Sequence, residues 1–392
     1  EIPPHDPFFK KFRLKTLPFR RSLACCRCRV GPREQTNSRT SFIDASHIYG
    51  ISKEMSDGLR TFRGGLLKSQ SVRGSLLLPK SLHPHNDSCS TAGKACFRSG
   101  DFRVNQNPGL LTLHTIFLRD HNRIARKLAV VNPMWDDERL FQVTKRIVEA
   151  RLQHVTFNEW LPMFVGSKVM TKYDLRPRKT GFTKYKPHVD PTTINEFAAA
   201  ALRFGHSTIY KRFYLAGRRG SHHACVLNLK DSYFKPCPFY DGVLDSVVRG
   251  LLKQRMPSVG RFSDFAITRF LYREPGRPYG NDLVSNDIQR GRDHGIAPYV
   301  DYLKLCRKYV IMSFDDLHGY RLIPKHTVRQ LSRVYDDVRD IDLYTGALSE
   351  IPSPGAAVGP TFQCIVADMF HRLKWGDRFY YEHAGQAGSF TQ

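Results

Sequence analysis

Apolar side chains recur at helical spacing along most of the chain after its first hundred residues. From Asn107-Pro108 onward, this spacing predicts a long helix in which Asn107 is the cap and Pro108 the first helical residue. The apolar face predicted for this helix consists of Leu110, Leu113, Phe117, Ile124 and Leu128. Similar patterns predict helices over 138–160, 193–206, 245–253 and 359–374. Strand-like alternation is scarce, so the pattern indicates a mainly α protein.

The first hundred residues are different, being rich in Pro, Ser, Gly and Cys with few long periodic stretches. Such composition is typical of loops that wrap around a core. The region 217–241 also reads as loop-rich. No internal repeat and no long linker interrupts the chain, so we predict one helical domain over 1–392 with a loop-rich N-terminal segment.

Composition narrows the classes of protein. The chain has 392 residues, 41% of them hydrophobic, which is enough for a substantial core. No apolar run approaches the roughly 20 residues that cross a bilayer, so we predict no membrane span. The formal charge of +25 favours acidic glycans or cell surfaces as partners. No recognisable nucleic-acid module accompanies the basic residues, and we expect no nucleic acid to bind.

Nine cysteines, several of them clustered, indicate disulfide-bonded loops and a secreted protein. The glycosylation sequon at residues 86–88 agrees with secretion. A zinc site is the alternative, because Cys25, Cys26, Cys28 and the His222-His223-Ala224-Cys225 segment hold soft ligands. One Cys-x-x-Cys pair without a second is a weak zinc signal.

The segment that ends at His206 carries the first candidate chemistry. Helical spacing predicts a stripe of small and apolar residues that ends near a histidine, formed by Ala198, Ala201, Leu202, His206 and Ile209. A flat macrocycle fits against such a stripe, with the His206 imidazole on its iron and Arg203 on a propionate. These residues point to haem. A hydrogen-bonded core histidine is the simpler interpretation of this segment alone.

A charged turn at residues 98–106 precedes the long helix, and we predict that it presents Arg103 toward a buried cavity. A guanidinium is always charged, so Arg103 can polarise a peroxide and stabilise the negative charge that develops as its O–O bond breaks. A solvated surface loop is the alternative.

Residues 286–295 concentrate charge and imidazole. A metal-bound histidine usually donates its second ring nitrogen to an oxygen, which Asp287 or Asn286 can supply to His206. We assign Arg290 to a second propionate, which leaves His294 a structural role. The alternatives are an Asp293/His294 acid–base pair and a helix start held by surface ion pairs.

Thr40, Asp44 and Ser46 place oxygen-bearing side chains close together beside free backbone carbonyls. Calcium prefers such hard ligands, although a hydroxyl-rich turn is the alternative.

Taken together, these segments resemble the animal haem peroxidase family. The resemblance covers nearly the whole chain, through residues 2–7, 33–35, 40–50, 97–103, 114–125, 204–206, 287–295, 340–346 and 376–382. It implies a proximal iron ligand at His206, a distal catalytic arginine at Arg103, and propionate contacts from Arg203 and Arg290. It also implies calcium bound by Thr40, the Phe42 carbonyl, Asp44 and Ser46. The family pattern pairs Cys89 with Cys96 and Cys306 with Cys364.

The chain departs from the family pattern in three places. Asp287 stands where myeloperoxidase has an asparagine paired with the proximal histidine, and a carboxylate makes His206 a stronger donor to iron. Gln106 stands where relatives carry a glutamate that esterifies a haem methyl, so the tether at that position is not expected. The family's distal histidine lies upstream of the Ile2-Pro3-Pro4 segment, so we expect 1–392 to lack that segment and the extreme C-terminus.

The resemblance implies a peroxidase in which b-type haem on His206 and hydrogen peroxide oxidise small phenolic or halide reductants. The alternative is a peroxidase-shaped haem-binding or cell-adhesion protein with impaired turnover, because a missing general base removes roughly 10²–10⁴-fold in rate. A basic, polyanion-binding module without a cofactor is a third interpretation.

Overall fold

The computed structural model describes residues 1–25, 30–82, 89, 94–217 and 225–391. Several residues of the sequence predictions lie outside this part: Cys26, Cys28, the sequon at 86–88, His222 and His223. The zinc alternative and the glycosylation site are therefore not addressed by the structure.

Helices dominate the described chain, and this confirms the mainly α prediction. The α-helices are α1 Ser46–Tyr49, α2 Lys53–Leu59, α3 Pro108–Val131, α4 Asp137–Val155, α5 Leu161–Lys172, α6 Asn195–Ala199, α7 Leu229–Ser232, α8 Cys237–Tyr240, α9 Leu244–Lys253, α10 Phe265–Thr268, α11 Leu283–Asp293, α12 Tyr299–Arg307, α13 Phe314–Gly319, α14 Lys325–Leu331, α15 Leu343–Leu348 and α16 Pro360–Trp375. The 3₁₀ helices are Phe9–Phe12, Phe102–Asn105, Ala201–Thr208 and Val338–Asp340, and Thr156–Trp160 is a π-helical turn.

Two small antiparallel hairpins supplement the helices. β1 Gln70–Val72 pairs with β2 Ser75–Leu77. β3 Arg212–Leu215 pairs with β4 Cys225–Asn228, with Arg212 opposite Asn228. The loop prediction for 217–241 was therefore partly wrong, since β4, α7 and α8 lie within it.

The long helix α3 begins as predicted, because the Asn107 side chain accepts a hydrogen bond from the Leu110 amide at 3.0 Å. Its predicted apolar face was wrong in part, since Leu113 is 49% exposed. The buried stripe instead follows residues Leu111, His114, Leu118, His121 and Ala125. This stripe has helical spacing, but two of its members are histidines, so a count of apolar residues misplaces it.

His121 is a buried polar ring whose two nitrogens both have hydrogen-bond partners, which offsets the free-energy cost of removing it from water. Its Nε2 donates to the Gly65 carbonyl and its Nδ1 accepts from the Tyr49 hydroxyl, both at 2.8 Å. Burial lowers the pKa of His121 to about 4, so the ring is neutral at physiological pH. His121 is therefore a core residue rather than a site residue.

The main hydrophobic core surrounds α16, where Phe362, Val366 and Met369 are fully buried. A second core lies between α3 and α4 and includes Phe141 and Val148. The disulfide Cys306–Cys364 joins α12 to α16, and Cys89–Cys96 closes a loop before α3; both pairings were predicted. Within the described ranges, no helix has the length and apolar character needed to cross a membrane.

Candidate functional site

The backbone around His206 is not the single helix that the sequence predicted. α6 ends at Ala199, Ala200 leaves helical geometry at φ −135° and ψ −63°, and a 3₁₀ helix carries residues Ala201–Thr208. Ala198, Leu202, His206 and Ile209 of the predicted stripe line one cavity. Ala201 does not; it is fully buried in the main core. The break rotates the second half of the segment, so helical spacing fails across it.

Asp287 of α11 joins the two predicted ligand residues. Its carboxylate accepts from His206 Nδ1 at 2.5 Å and from Arg203 Nη1 at 2.7 Å, and the residue is 0% exposed. A buried carboxylate requires such partners, and the charge of Arg203 supplies one. Because Nδ1 carries the proton toward Asp287, Nε2 of the neutral ring keeps its lone pair for a metal.

His206 lies on a cavity of about 680 Å³. The cavity brings together four residues that the sequence analysis took from separate segments, namely Arg103, Gln106, Arg203 and His206. Its apolar walls include Leu202, Leu251 and Met256, all large side chains exposed in this structure. The walls are thus apolar with a few convergent polar groups, which is the usual composition of a cofactor site.

Arg103 is held at the cavity wall by the residue two positions before it. Asp101 caps the 3₁₀ helix through the Arg103 amide at 2.8 Å, and its two oxygens accept from Arg103 Nε at 2.8 Å and Nη2 at 2.7 Å. Burial acts to raise the pKa of Asp101, but the hydrogen bonds from Arg103 outweigh it and lower the pKa to about 2. Asp101 is a site residue without a predicted role, although its position two residues before Arg103 is evident in the sequence.

Arg290 does not line the cavity in this structure. Its guanidinium bonds Ser22 Oγ at 2.8 Å and the Arg20 carbonyl at 3.0 Å, and it pairs with Asp293 at 3.2 Å. Burial lowers the pKa of Arg290, and the charge of Arg203 lowers it further. The repulsion between the two guanidiniums is offset in this structure by the carboxylates of Asp293 and Asp287.

His294 has both ring nitrogens engaged. Nδ1 lies 2.7 Å from Asn195 Oδ1, and Nε2 lies 2.6 Å from Ser22 Oγ. Asp293 meanwhile holds Arg21 at 2.6 Å. These contacts tie the N-terminal segment to α11, which agrees with a structural role for His294.

The predicted calcium residues form a compact turn before α1. Thr40 Oγ1 accepts from the Phe42 amide at 3.1 Å, and Asp44 accepts from the Ser46 amide at 3.0 Å. Asp44 lines a larger cavity of about 1180 Å³, which is separate from the His206 cavity. Across the described ranges, no three His, Cys, Asp or Glu side chains group as a metal site. The loop differs from such groups because hydroxyl and carbonyl oxygens make up most of its ligand set.

Tyr272 is a cavity residue that sequence reasoning missed. It lines the cavity with His206, and the Gln106 side-chain amide donates a hydrogen bond to its hydroxyl. No periodicity or motif marks this position. It directly follows Leu271, which forms an isolated antiparallel bridge with Asn281, ten residues later in the chain.

Fold and site together define a helical protein with a histidine-centred cavity suited to a planar, anionic group. The profile of the Animal haem peroxidase family matches residues 1–392. The chain belongs to the animal haem peroxidase family.

Two relatives from Drosophila melanogaster show the degree of similarity. The chain is 40% identical to a chorion peroxidase over 390 residues, which cover 97% of this chain and 47% of that protein. It is 38% identical to a peroxidase over 404 residues, which cover 100% of this chain and 57% of that protein. The chain thus spans about half the length of these relatives.

Solved structures show the same fold. Peroxidase A from Dictyostelium discoideum superposes with a TM-score of 0.81 at 34% identity, covering 93% of this chain and 70% of that one. A fatty acid alpha-dioxygenase from Arabidopsis thaliana shares the fold, with a TM-score of 0.70 at 19% identity over 88% of this chain and 56% of its own.

Proposed function

We propose that this chain forms the haem-binding body of a secreted peroxidase that reduces hydrogen peroxide and oxidises small phenolic or halide reductants. The observation that carries the proposal is the His206–Asp287 pair on a cavity that also presents Arg103. Family membership and the named peroxidase relatives support it. The pairing of four cysteines in disulfides supports an oxidising compartment.

The donor set at the cavity fits a b-type haem. Nε2 of His206 would bind iron, because its second nitrogen is committed to Asp287. Arg203 would serve one propionate and Arg290 the other, the latter after it turns from Ser22. Gln106, which lines the cavity, would contact the group without esterifying it, since an amide lacks the carboxylate that such a bond needs. When bound, haem supplies the redox chemistry that the protein's own side chains lack.

Arg103 would act on peroxide. Its positive charge does not depend on pH in the physiological range, and Asp101 fixes its orientation. A fixed guanidinium stabilises negative charge on the leaving oxygen without having to reorganise during the reaction. Asp287 would meanwhile hold the proton of His206 Nδ1, so the imidazole stays oriented and electron-rich.

A second function is a peroxidase-shaped haem-binding or adhesion protein with little turnover. The basic surface favours acidic glycans or cell surfaces as partners in either case. In the structure, Lys211 lies over Phe265, while Lys230 and Arg273 lie over Phe270, so cations gather around an aromatic patch. Such a patch attracts sulfated or carboxylated chains by charge.

Reconstitution separates these two functions. We expect the chain to bind ferric haem with a Soret band of histidine ligation, and we expect peroxide to change that band rapidly in stopped-flow mixing. A stable band that peroxide changes slowly or not at all would favour the haem-binding function without turnover. If no Soret band forms, both proposals are wrong.

We also propose that Thr40, the Phe42 carbonyl, Asp44 and Ser46 hold calcium. Adding calcium should then raise the melting temperature, because a ligand at 100 times its Kd stabilises a fold by about 2.7 kcal/mol. EDTA should reverse the shift and weaken haem retention. Asp44→Asn should lose the calcium response, whereas Asp245→Asn, a change to an aspartate whose side chain is 56% exposed and lies outside the cavity of Asp44, should keep it. A melting temperature that changes with neither calcium nor EDTA would contradict the proposed calcium site.

A further inference from the structure

Tyr272 separates two cavities. On its inner side it lines the His206 cavity, together with Arg103 and Gln106. On its outer side it lines a cleft of about 170 Å³ between the N-terminal segment 14–18 and the loop 274–281. The side chain is 37% exposed, so one ring has contact with both the inner cavity and the surface.

The backbone holds Tyr272 in an unfavourable conformation. Its φ is +52°, a region that bulky side chains rarely adopt. The preceding Leu271 is fixed by two backbone hydrogen bonds with Asn281, at 3.1 Å and 2.8 Å. Strain of this kind persists where the surrounding structure enforces it, and it concentrates at functional positions.

Burial and the polar neighbours of the Tyr272 hydroxyl act on its pKa in opposite directions. Burial raises the pKa of Tyr272, while the charge of Arg103 and the hydrogen bond from Gln106 act to lower it. Both polar groups direct positive potential at the phenol oxygen. Because burial dominates and the pKa is raised overall, the phenol is protonated at rest, and its proton leaves together with the electron when the ring is oxidised.

Aromatic rings continue from Tyr272 on both sides. Tyr233 packs edge-on against it at 5.4 Å, with its own hydroxyl donated to the Ala266 carbonyl at 3.1 Å. In the outer cleft lies Tyr279, whose ring is 5.0 Å from Phe12. A phenol that arrives from outside would thus meet an aromatic surface next to Tyr272.

We propose that Tyr272 is a redox-active residue that relays oxidising equivalents from the His206 cavity to the outer cleft. There Tyr272 would oxidise phenol groups carried by molecules too large to enter the cavity. The proposal rests on the proposed peroxidase function, which supplies the oxidant.

The relay consists of two one-electron steps. First, the O–H bond of Tyr272 would break: one electron would leave toward the group bound at His206, which would supply the oxidising equivalent obtained from peroxide, and the proton would pass to solvent. Second, a phenol in the outer cleft loses its O–H hydrogen as one electron and one proton, and these restore the Tyr272 O–H bond. The net change is one phenol oxidised to a phenoxyl radical, one electron delivered to the cavity and one proton released to water.

The test compares two forms of one phenol with the haem-loaded protein: free tyramine, and tyramine coupled to a large dextran. In Tyr272→Phe, the ratio of dextran-bound to free tyramine oxidation should fall about tenfold or more. Tyr320→Phe removes a 47% exposed tyrosine that lines neither cavity, and it should leave the ratio unchanged. An unchanged Soret band in Tyr272→Phe would show that its haem site is intact.

Electron paramagnetic resonance gives a readout that does not depend on turnover. Rapid freezing after peroxide, without reductant, should trap a tyrosyl radical that narrows with ring-deuterated tyrosine and is absent from Tyr272→Phe. The same radical in Tyr272→Phe, or an unchanged tyramine ratio, would overturn the relay. If the wild-type chain oxidises neither form of tyramine, the proposed peroxidase function fails instead.

Discussion

His206→Ala is expected to abolish histidine coordination of haem iron. The predicted ligand atom is Nε2 of His206, and Asp287 orients the ring by accepting a hydrogen bond from Nδ1 on its other side. Alanine removes that ligand and leaves the Asp287 carboxylate, which is fully buried, with Arg203 as its remaining charged partner. Loss of the histidine-ligated Soret band on reconstitution is the measurement.

The control is His154→Ala, since His154 bonds Tyr381 Oη at 2.9 Å and does not line the cavity. That variant should bind haem like the wild type. Asp287→Asn should show an intermediate effect, because removing a partner behind a metal-bound histidine typically costs about 10–100-fold in metal affinity or activity. Added imidazole should restore nitrogen ligation in His206→Ala. A normal histidine-type spectrum without imidazole would contradict the assignment of His206.

The sequence predicted the parts of the site that depend on residue type and local spacing. The need of a metal-bound histidine for an oxygen acceptor led to Asp287 or Asn286 as the partner of His206, and in the structure Asp287 lies at its Nδ1. The contact between Arg203 and Asp287 was not predicted, since the sequence assigned Arg203 to a propionate. The chemistry of each group limits its partners, because a buried carboxylate requires cations or donors. Chemistry thus narrowed the partner of His206 to two residues, and the family resemblance singled out Asp287, 81 positions away.

Features that depend on tertiary packing were not predictable in this way. The break at Ala200 places Ala201 in the core because packing against α16 determines the backbone there, not local propensity. The buried face of α3 was misplaced because His114 and His121 are inside the fold. Tyr272 lines the cavity from a turn that follows the bridge between Leu271 and Asn281, and neither side chain of that bridge signals it in the sequence.

The position of Arg290 shows a further limit of prediction from the sequence. Its sequence context predicts a propionate contact, whereas the structure pairs it with Ser22 and Asp293. Which partner an arginine selects depends on the anions present, and a carboxylate of the chain competes with those of a cofactor. The propionate role of Arg290 stays a prediction until haem is bound.

Arg103→Ala is expected to leave haem bound and to slow the reaction with peroxide by about 10²–10³-fold, the usual cost of removing one preorganised stabiliser of developing negative charge. Haem retention should persist because the predicted iron ligand, His206, belongs to another segment. The rate constant for the first spectral change after peroxide, measured by stopped flow, tests this.

The pH dependence of the peroxide reaction provides a second check on the pairing of Arg103 with Asp101. Burial would raise the pKa of Asp101, yet the bonds from Arg103 lower it from 3.8 to about 2. A carboxylate with a lowered pKa in the fold contributes its full stabilisation above the unfolded value and loses it as pH falls toward the folded value. The stabilisation is therefore complete from about pH 5 upward, while Asp101 in the folded chain stays ionised down to about pH 3. Above about pH 3 the pair should not itself impose a pH dependence on the peroxide reaction.

Arg39 provides the matched control for Arg103, since its guanidinium also approaches Asp101, at 3.3 Å, but does not line the His206 cavity. Arg39→Ala should keep the peroxide rate of the wild type. Arg103→Lys should recover part of the rate, because lysine keeps the charge but cannot bond both oxygens of Asp101 as a planar fork. If Arg103→Ala loses haem while reacting normally in the fraction that retains it, Arg103 is a binding residue and the catalytic assignment is wrong.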